Sequence, residues 1–124
     1  MKIKDISLGW ISTADISRAK KFFHEDLGLE ISSDNEDMGW LELQPKGQQA
    51  MTLGIAQDQG QSPHKPGANA VLTFIVENIQ EAKQELLDKG VTLEGDIHEV
   101  PGHVKLLSFF DKDHNRFQLV EVIG

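Results

Sequence analysis

The feature that most constrains this chain is that it repeats itself. Ser12-Thr-Ala-Asp-Ile-Ser-Arg-Ala-Lys-Lys-Phe-Phe and Ile75-Val-Glu-Asn-Ile-Gln-Glu-Ala-Lys-Gln-Glu-Leu superpose with a shift of 63 residues. Asp15 then falls on Asn78, Ile16 on Ile79, Ala19 on Ala82 and Lys20 on Lys83; one residue of slack brings Gly28 onto Gly90. The matches are few but fall where local physics is demanding. Asp15 and Asn78 are N-cap residues, whose short side-chain oxygens accept from a free amide of the first helical turn. Asn78 with Glu81 resembles a capping box. Ile16, Ala19, Phe23 and Leu27 recur at helical spacing, as do Ile79, Ala82 and Leu86. Gly28 and Gly90 stand where a left-handed residue ends a helix. Helices are predicted near 16–27 and 79–89.

A strand-like run precedes each helix, Ile6 to Ile11 and Ala70 to Val76. Three apolar runs follow the first helix, at 29–32, 38–43 and 51–56, separated by Ser33-Asp-Asn-Glu-Asp and Gln44-Pro-Lys-Gly. Three follow the second, at 91–93, 103–110 and 116–123. Asp111-Lys-Asp-His-Asn makes the last turn, with Asn115 suited to a left-handed conformation. The order is β-α-β-β-β twice: module 1 over 1–56, a polar connector over 57–69, and module 2 over 70–124. The competing arrangement is a ferredoxin-like β-α-β-β-α-β fold, which has only two strands between its helices. With 124 residues the whole is one domain.

Composition narrows the chemistry. There are no cysteines, which removes disulfides and thiolate chemistry. The net charge of −8 argues against nucleic acid, which needs a basic face. No apolar run is long enough to span a membrane, and no secretory leader is visible, so a cytoplasmic location is expected. Phosphate-binding glycine loops are missing.

Two motifs add a resemblance. Asp15-Ile-Ser-Arg-Ala-Lys-Lys-Phe-Phe-His-Glu-Asp-Leu-Gly-Leu and Phe109-Phe-Asp-Lys-Asp-His-Asn-Arg-Phe-Gln-Leu-Val-Glu, set around a duplicated unit, resemble the glyoxalase/bleomycin-resistance/dioxygenase (vicinal oxygen chelate) superfamily. The resemblance covers essentially the whole chain. It implies an α+β fold of two tandem βαβββ modules forming a curved mixed sheet, a small-molecule cavity in the cup between modules, and a homodimer. Many members hold a divalent metal with two side chains per module, usually His on the first strand and Glu on the last. Carried over, those slots are Leu8, Thr52 to within one residue, Val71 and Gln118. Leu and Val have no lone pairs, and a hydroxyl and an amide oxygen are weak neutral ligands. No metal and no other cofactor is therefore expected.

Strand parity puts Trp10 on the face of Leu8, and Thr73 on the face of Val71. The candidate ligand-binding residues are thus Leu8, Trp10, Thr52, Val71, Thr73 and Gln118, giving an apolar and aromatic pocket with Gln118 and Thr52 as polar anchors. The same residues would equally serve a core or a dimer interface. Glu42 shares a face with Trp40 and points into the cup or out to solvent. Glu121 has the opposite parity to Gln118 and is not placed in the cavity.

None of the five histidines lies on a strand that opens a module. His24, His64 and His114 read as a helix-surface, a connector and a turn residue. His98, Glu99 and His103 could form a cluster, but in a loop. His103 is the histidine best suited to ligand binding or general-base work, since imidazole titrates near neutrality. Two functions remain: a metal-free small-molecule-binding protein, or an enzyme (lyase, isomerase or dioxygenase). The enzyme would use a metal at an unusual place or His103 and Glu42 as acid and base.

Overall fold

The computed structural model describes residues 1–47, 51–110, 112, 114 and 116–124. Two compact units emerge. One is Leu8–Ala70, which is the first module with the connector; the other is Met1–Ser7 with Val71–Gly124.

In the first module, β1 (Asp5–Thr13) leads into α1 (Ile16–Lys20), followed by β2 (Glu30–Asn35), β3 (Trp40–Gln44) and β4 (Thr52–Gln57). Its strands hydrogen-bond in the order β2-β3-β4-β1, with β1 parallel to β4 and the other pairs antiparallel. In the second, β5 (Val71–Ile75) and α2 (Ile79–Asp88) precede β6 (Thr92–Val100), β7 (Val104–Phe110) and β8 (Arg116–Val122). The order there is β6-β7-β8-β5, with β5 parallel to β8. Each module is the other's copy in order and polarity. Three strands separate the helices before β5 begins, which rules out the ferredoxin-like competitor.

Both helices start as their sequences dictate. Asp15 accepts from the Arg18 amide at 3.1 Å, and Asn78 from the Glu81 amide at 3.1 Å. Each start has a second device, supplied by the last strand of its own module. The amide of Ile16 donates to the Gln57 side-chain oxygen at 2.8 Å, and that of Ile79 to Glu121 at 2.8 Å. Glu121 thus turns away from the face of Gln118, as its parity requires.

The first helix differs in its second half. After Lys20 the backbone widens into a π-helix over Lys21–Asp26, closed by Leu27 N donating to Phe22 O at 3.0 Å. A π-turn holds one residue more than an α-turn. That extra residue is the slack seen between the repeats. Gly28 (φ 79°) and Gly90 (φ 75°) then end the helices in the left-handed region.

One sheet face in each module packs on its helix. Leu41, Leu43 and Ile55 are fully buried with Ile16, against Phe23, Ile31 and Leu53. In the second module Leu107 and Leu119 are buried with Ile79, Ala82 and Leu86. Each such side chain contributes about 2 kcal/mol of burial. An ion pair ties each helix to the following strand: Lys20 to Asp34 at 2.6 Å, and Lys83 to Asp96 at 2.5 Å.

Two strand limits moved by several residues. The run at 91–93 opens a nine-residue strand, β6, whose polar alternation hid it. The segment read as a turn from Ser33 carries β2 to Asn35 before a short 3₁₀ turn at Glu36–Met38. In the last hairpin His114 takes the left-handed conformation (φ 67°). Asn115, the residue expected there, lies outside the described residues.

Candidate functional site

The faces turned away from the helices hold the candidate residues. In the first module Leu8 sits in register with Thr52, and Trp10 with Gly54; Glu42 is the partner of Gly54 on the other side. Trp10, Gly54 and Glu42 therefore form one row across β1, β4 and β3. At ordinary strand spacing the row spans roughly 10 Å. Gly54 has no room for a side chain. A Cβ there would stand 2.4 and 2.7 Å from the Trp40 ring and 3.1 Å from the Trp10 Cβ. The Trp40 indole lies over Gly54, and its Nε1 donates to the Glu42 carboxylate at 2.7 Å. Glu42 is half-buried on this face.

His64 also belongs here, a residue the sequence placed only in the connector. It is 6% exposed, and its ring meets Trp10 edge-on at 5.1 Å between centroids. Its Nε2 lies 2.6 Å from the Asn69 carbonyl, which only accepts, so Nε2 carries the proton. The Trp10 Nε1 is buried and has no hydrogen-bond partner among the described residues. Lower on the same face, Gln44 donates to the Thr52 hydroxyl at 3.0 Å.

The second module carries neutral polar groups at the matching places. Thr73 pairs with Gln118 in register, and its hydroxyl donates to the Gln118 amide oxygen at 3.2 Å. Ser108 flanks Gln118 on β7. Val71 is buried two residues before Thr73. Arg116, two residues before Gln118, holds Glu94 through two hydrogen bonds at 2.8 and 2.6 Å, with its guanidinium 5.2 Å from the Phe110 ring. Glu94 raises the Arg116 pKa further above its already high value. Neither Glu94 nor Arg116 was singled out by sequence reasoning. Their β-parity with Ser108 and Gln118 is the signal that would have found them.

His103 stands elsewhere. It is exposed in the turn between β6 and β7. Five residues separate it from Ser108, the register partner of Gln118, which is roughly 16 Å along a strand. His98, Glu99 and His103 do not gather: among the described residues no three His, Cys, Asp or Glu groups could share an ion.

A family model for the Glyoxalase/Bleomycin resistance protein/Dioxygenase superfamily matches residues 4–119. The chain belongs to this superfamily. It is 27% identical over 122 residues to the uncharacterized protein YetH of Bacillus subtilis (strain 168), covering 96% of this chain and 99% of that one. The fold also matches methylmalonyl-CoA epimerase from Mycobacterium tuberculosis, with a TM-score of 0.74, 20% identity, and coverage of 98% and 90%. A superfamily member from Vibrio splendidus 12B01 gives a TM-score of 0.64 at 15% identity, covering 92% and 96%.

The duplication refines where this superfamily's ligand slots fall. Trp10 corresponds to Thr73, so the register partner of Trp10, Gly54, corresponds to the partner of Thr73, Gln118. The helix-capping pair agrees, because Gln57 and Glu121 each lie three residues further on. The place matching Gln118 is thus a glycine under an indole, two residues beyond Thr52. Leu8 and Val71 offer no lone pair, and the oxygens of Thr52 and Gln118 each already accept a hydrogen bond. This donor set does not fit a divalent ion, which requires charged or strongly basic ligands.

Proposed function

We propose that this superfamily member is a metal-independent small-molecule-binding protein that takes its ligand on the strand faces turned away from the helices. The observation that carries the reading is the Trp40 indole seated on Gly54, where a metal-binding relative would need a donor. Aromatic walls with a few placed polar groups are the usual make-up of such a site. On the first module's face those groups are Glu42 and Thr52, with Leu8 and Trp10 as apolar lining; the second module's own face has Thr73 and Gln118 beside Val71. Superfamily resemblance supports a homodimer, and a cytoplasmic location is part of the proposal.

The test is divalent-metal content by mass spectrometry on tag-free protein purified without chelator, followed by a thermal-shift screen of small molecules. Substoichiometric metal with at least one stabilising compound is expected. One tightly held ion per chain would overturn the reading.

Glu42 favours a second reading. A half-buried carboxylate on this face suits a general acid or base, and methylmalonyl-CoA epimerases share the fold. An enzyme of this kind would lose turnover in Glu42→Gln. His103, exposed in its turn, has less claim to that role; unchanged turnover in both Glu42→Gln and His103→Ala would remove both assignments.

A further inference from the structure

We propose that the Trp10–Trp40–Glu42 face is a recognition site for an organic cation, a quaternary or tertiary ammonium that also carries an oxygen acceptor. The inference rests on the small-molecule-binding reading and names its ligand class.

Four observations point to that chemistry. First, Glu42 has no ion-pair partner among the described residues, although it is half-buried. Only its Oε2 is engaged, by the Trp40 Nε1. A carboxylate so placed lacks a counter-charge that a ligand can bring. Second, no lysine or arginine is among the β1–β4 register residues that share this face; the charged ones are Glu42 and, at the open end beside Gln44, Glu30. Third, the indole beside the carboxylate is the side chain best suited to attract a cation to its ring face. Its hydrogen bond to an anion makes the ring more electron-rich and fixes its orientation. Fourth, the Trp10 Nε1–H is buried with no acceptor among the described residues. Leaving such a donor unmade is costly, and a ligand oxygen would satisfy it. His64 cannot do so through Nε2, whose proton is committed to Asn69. The net charge of −8 draws cations toward the chain.

Both tryptophans of the chain line this face, so their emission reports on it directly. The experiment titrates the full chain at low ionic strength with choline and acetylcholine. The neutral isostere 3,3-dimethyl-1-butanol, which replaces the charged nitrogen of choline by carbon, is run in parallel. A saturable change in emission is expected with the cations and at least about tenfold weaker binding of the isostere. Glu42→Gln and Trp40→Phe should each weaken cation binding about tenfold, with Trp10 still reporting in the latter. Saturation-transfer NMR on the N-methyl protons of choline with the native chain keeps the test open if a variant fails to fold. Equal binding of the isostere, unchanged binding in folded Glu42→Gln, or no saturation by either cation would sink the proposal. A neutral or anionic hit from the thermal-shift screen that perturbs the emission would sink it while leaving small-molecule binding intact. A screen with no hit at all sinks the parent reading as well.

Discussion

Glu121, at the end of β8, accepts the first free amide of α2, that of Ile79, at 2.8 Å; Gln57 at the end of β4 does the same for Ile16 in the other module. A carboxylate and an amide perform one task because the helix start requires only an acceptor oxygen. Glu121→Gln should therefore keep most of the stability, whereas Glu121→Ala and Gln57→Ala should each lose about 1 kcal/mol. Urea unfolding midpoints separate these outcomes. Equal losses in the alanine and glutamine variants would show that charge at the helix start matters more than the bond.

Gly54→Ala places a methyl within 2.4 Å of the Trp40 ring. The indole must move or the strand must bend, at a cost of about 1–3 kcal/mol. Adding Trp40→Leu to the same chain should recover most of the loss. A double variant no more stable than Gly54→Ala would mean that the strain lies in the backbone.

His64→Ala removes a buried ring from Trp10 and frees the Asn69 carbonyl. A loss of about 1–2 kcal/mol is expected, with Trp10 emission shifted to longer wavelength as water reaches the ring. Unchanged emission would show that the connector does not shield Trp10 in solution.

The two helix-to-strand ion pairs give the acid limb of the stability curve a definite sign. The Lys20 ammonium holds the Asp34 pKa below its ordinary 3.8, and Lys83, with the Ile97 amide, does the same for Asp96. A carboxylate with a depressed folded-state pKa contributes stability above its unfolded value and loses it as pH falls through the folded value. Unfolding free energy should fall with pH below about 4, and less steeply in an Asp34→Asn, Asp96→Asn double variant. At the alkaline end the Lys20 pKa lies above 10.5, so its contribution is present below that value and disappears only beyond it. Both carboxylates are exposed, so moderate salt should shrink the difference between native and variant. Parallel acid limbs in the two proteins would contradict the assignment.

Much of this architecture was legible because the chain states its plan twice. The caps at Asp15 and Asn78, the terminating Gly28 and Gly90, and the three strands after each helix all follow from local chemistry and repeat spacing. β6 was harder, since Gly95-Asp-Ile-His-Glu looks like a loop until its partner strand supplies the pairing. On the candidate site, parity correctly grouped Leu8 with Trp10 and Val71 with Thr73. It could not reveal that Gly54 rather than Thr52 answers Gln118, because that depends on the register between β1 and β4. Nor could it find His64, which reaches Trp10 through a connector of irregular backbone. Long-range contacts of this kind leave no period in the sequence.

The widened turn at Lys21–Asp26 has a consequence for how such a chain tolerates change in its gene. One extra codon lies inside the helix, and its length is taken up before Gly28, so β2 still begins at Glu30 and still pairs with β3. The solvent-facing turn works as an expansion joint: it absorbs an insertion locally and spares every pairing downstream. Within the strands the same insertion would turn each following side chain to the opposite face, exchanging Trp40 and Glu42 for Leu41 and Leu43.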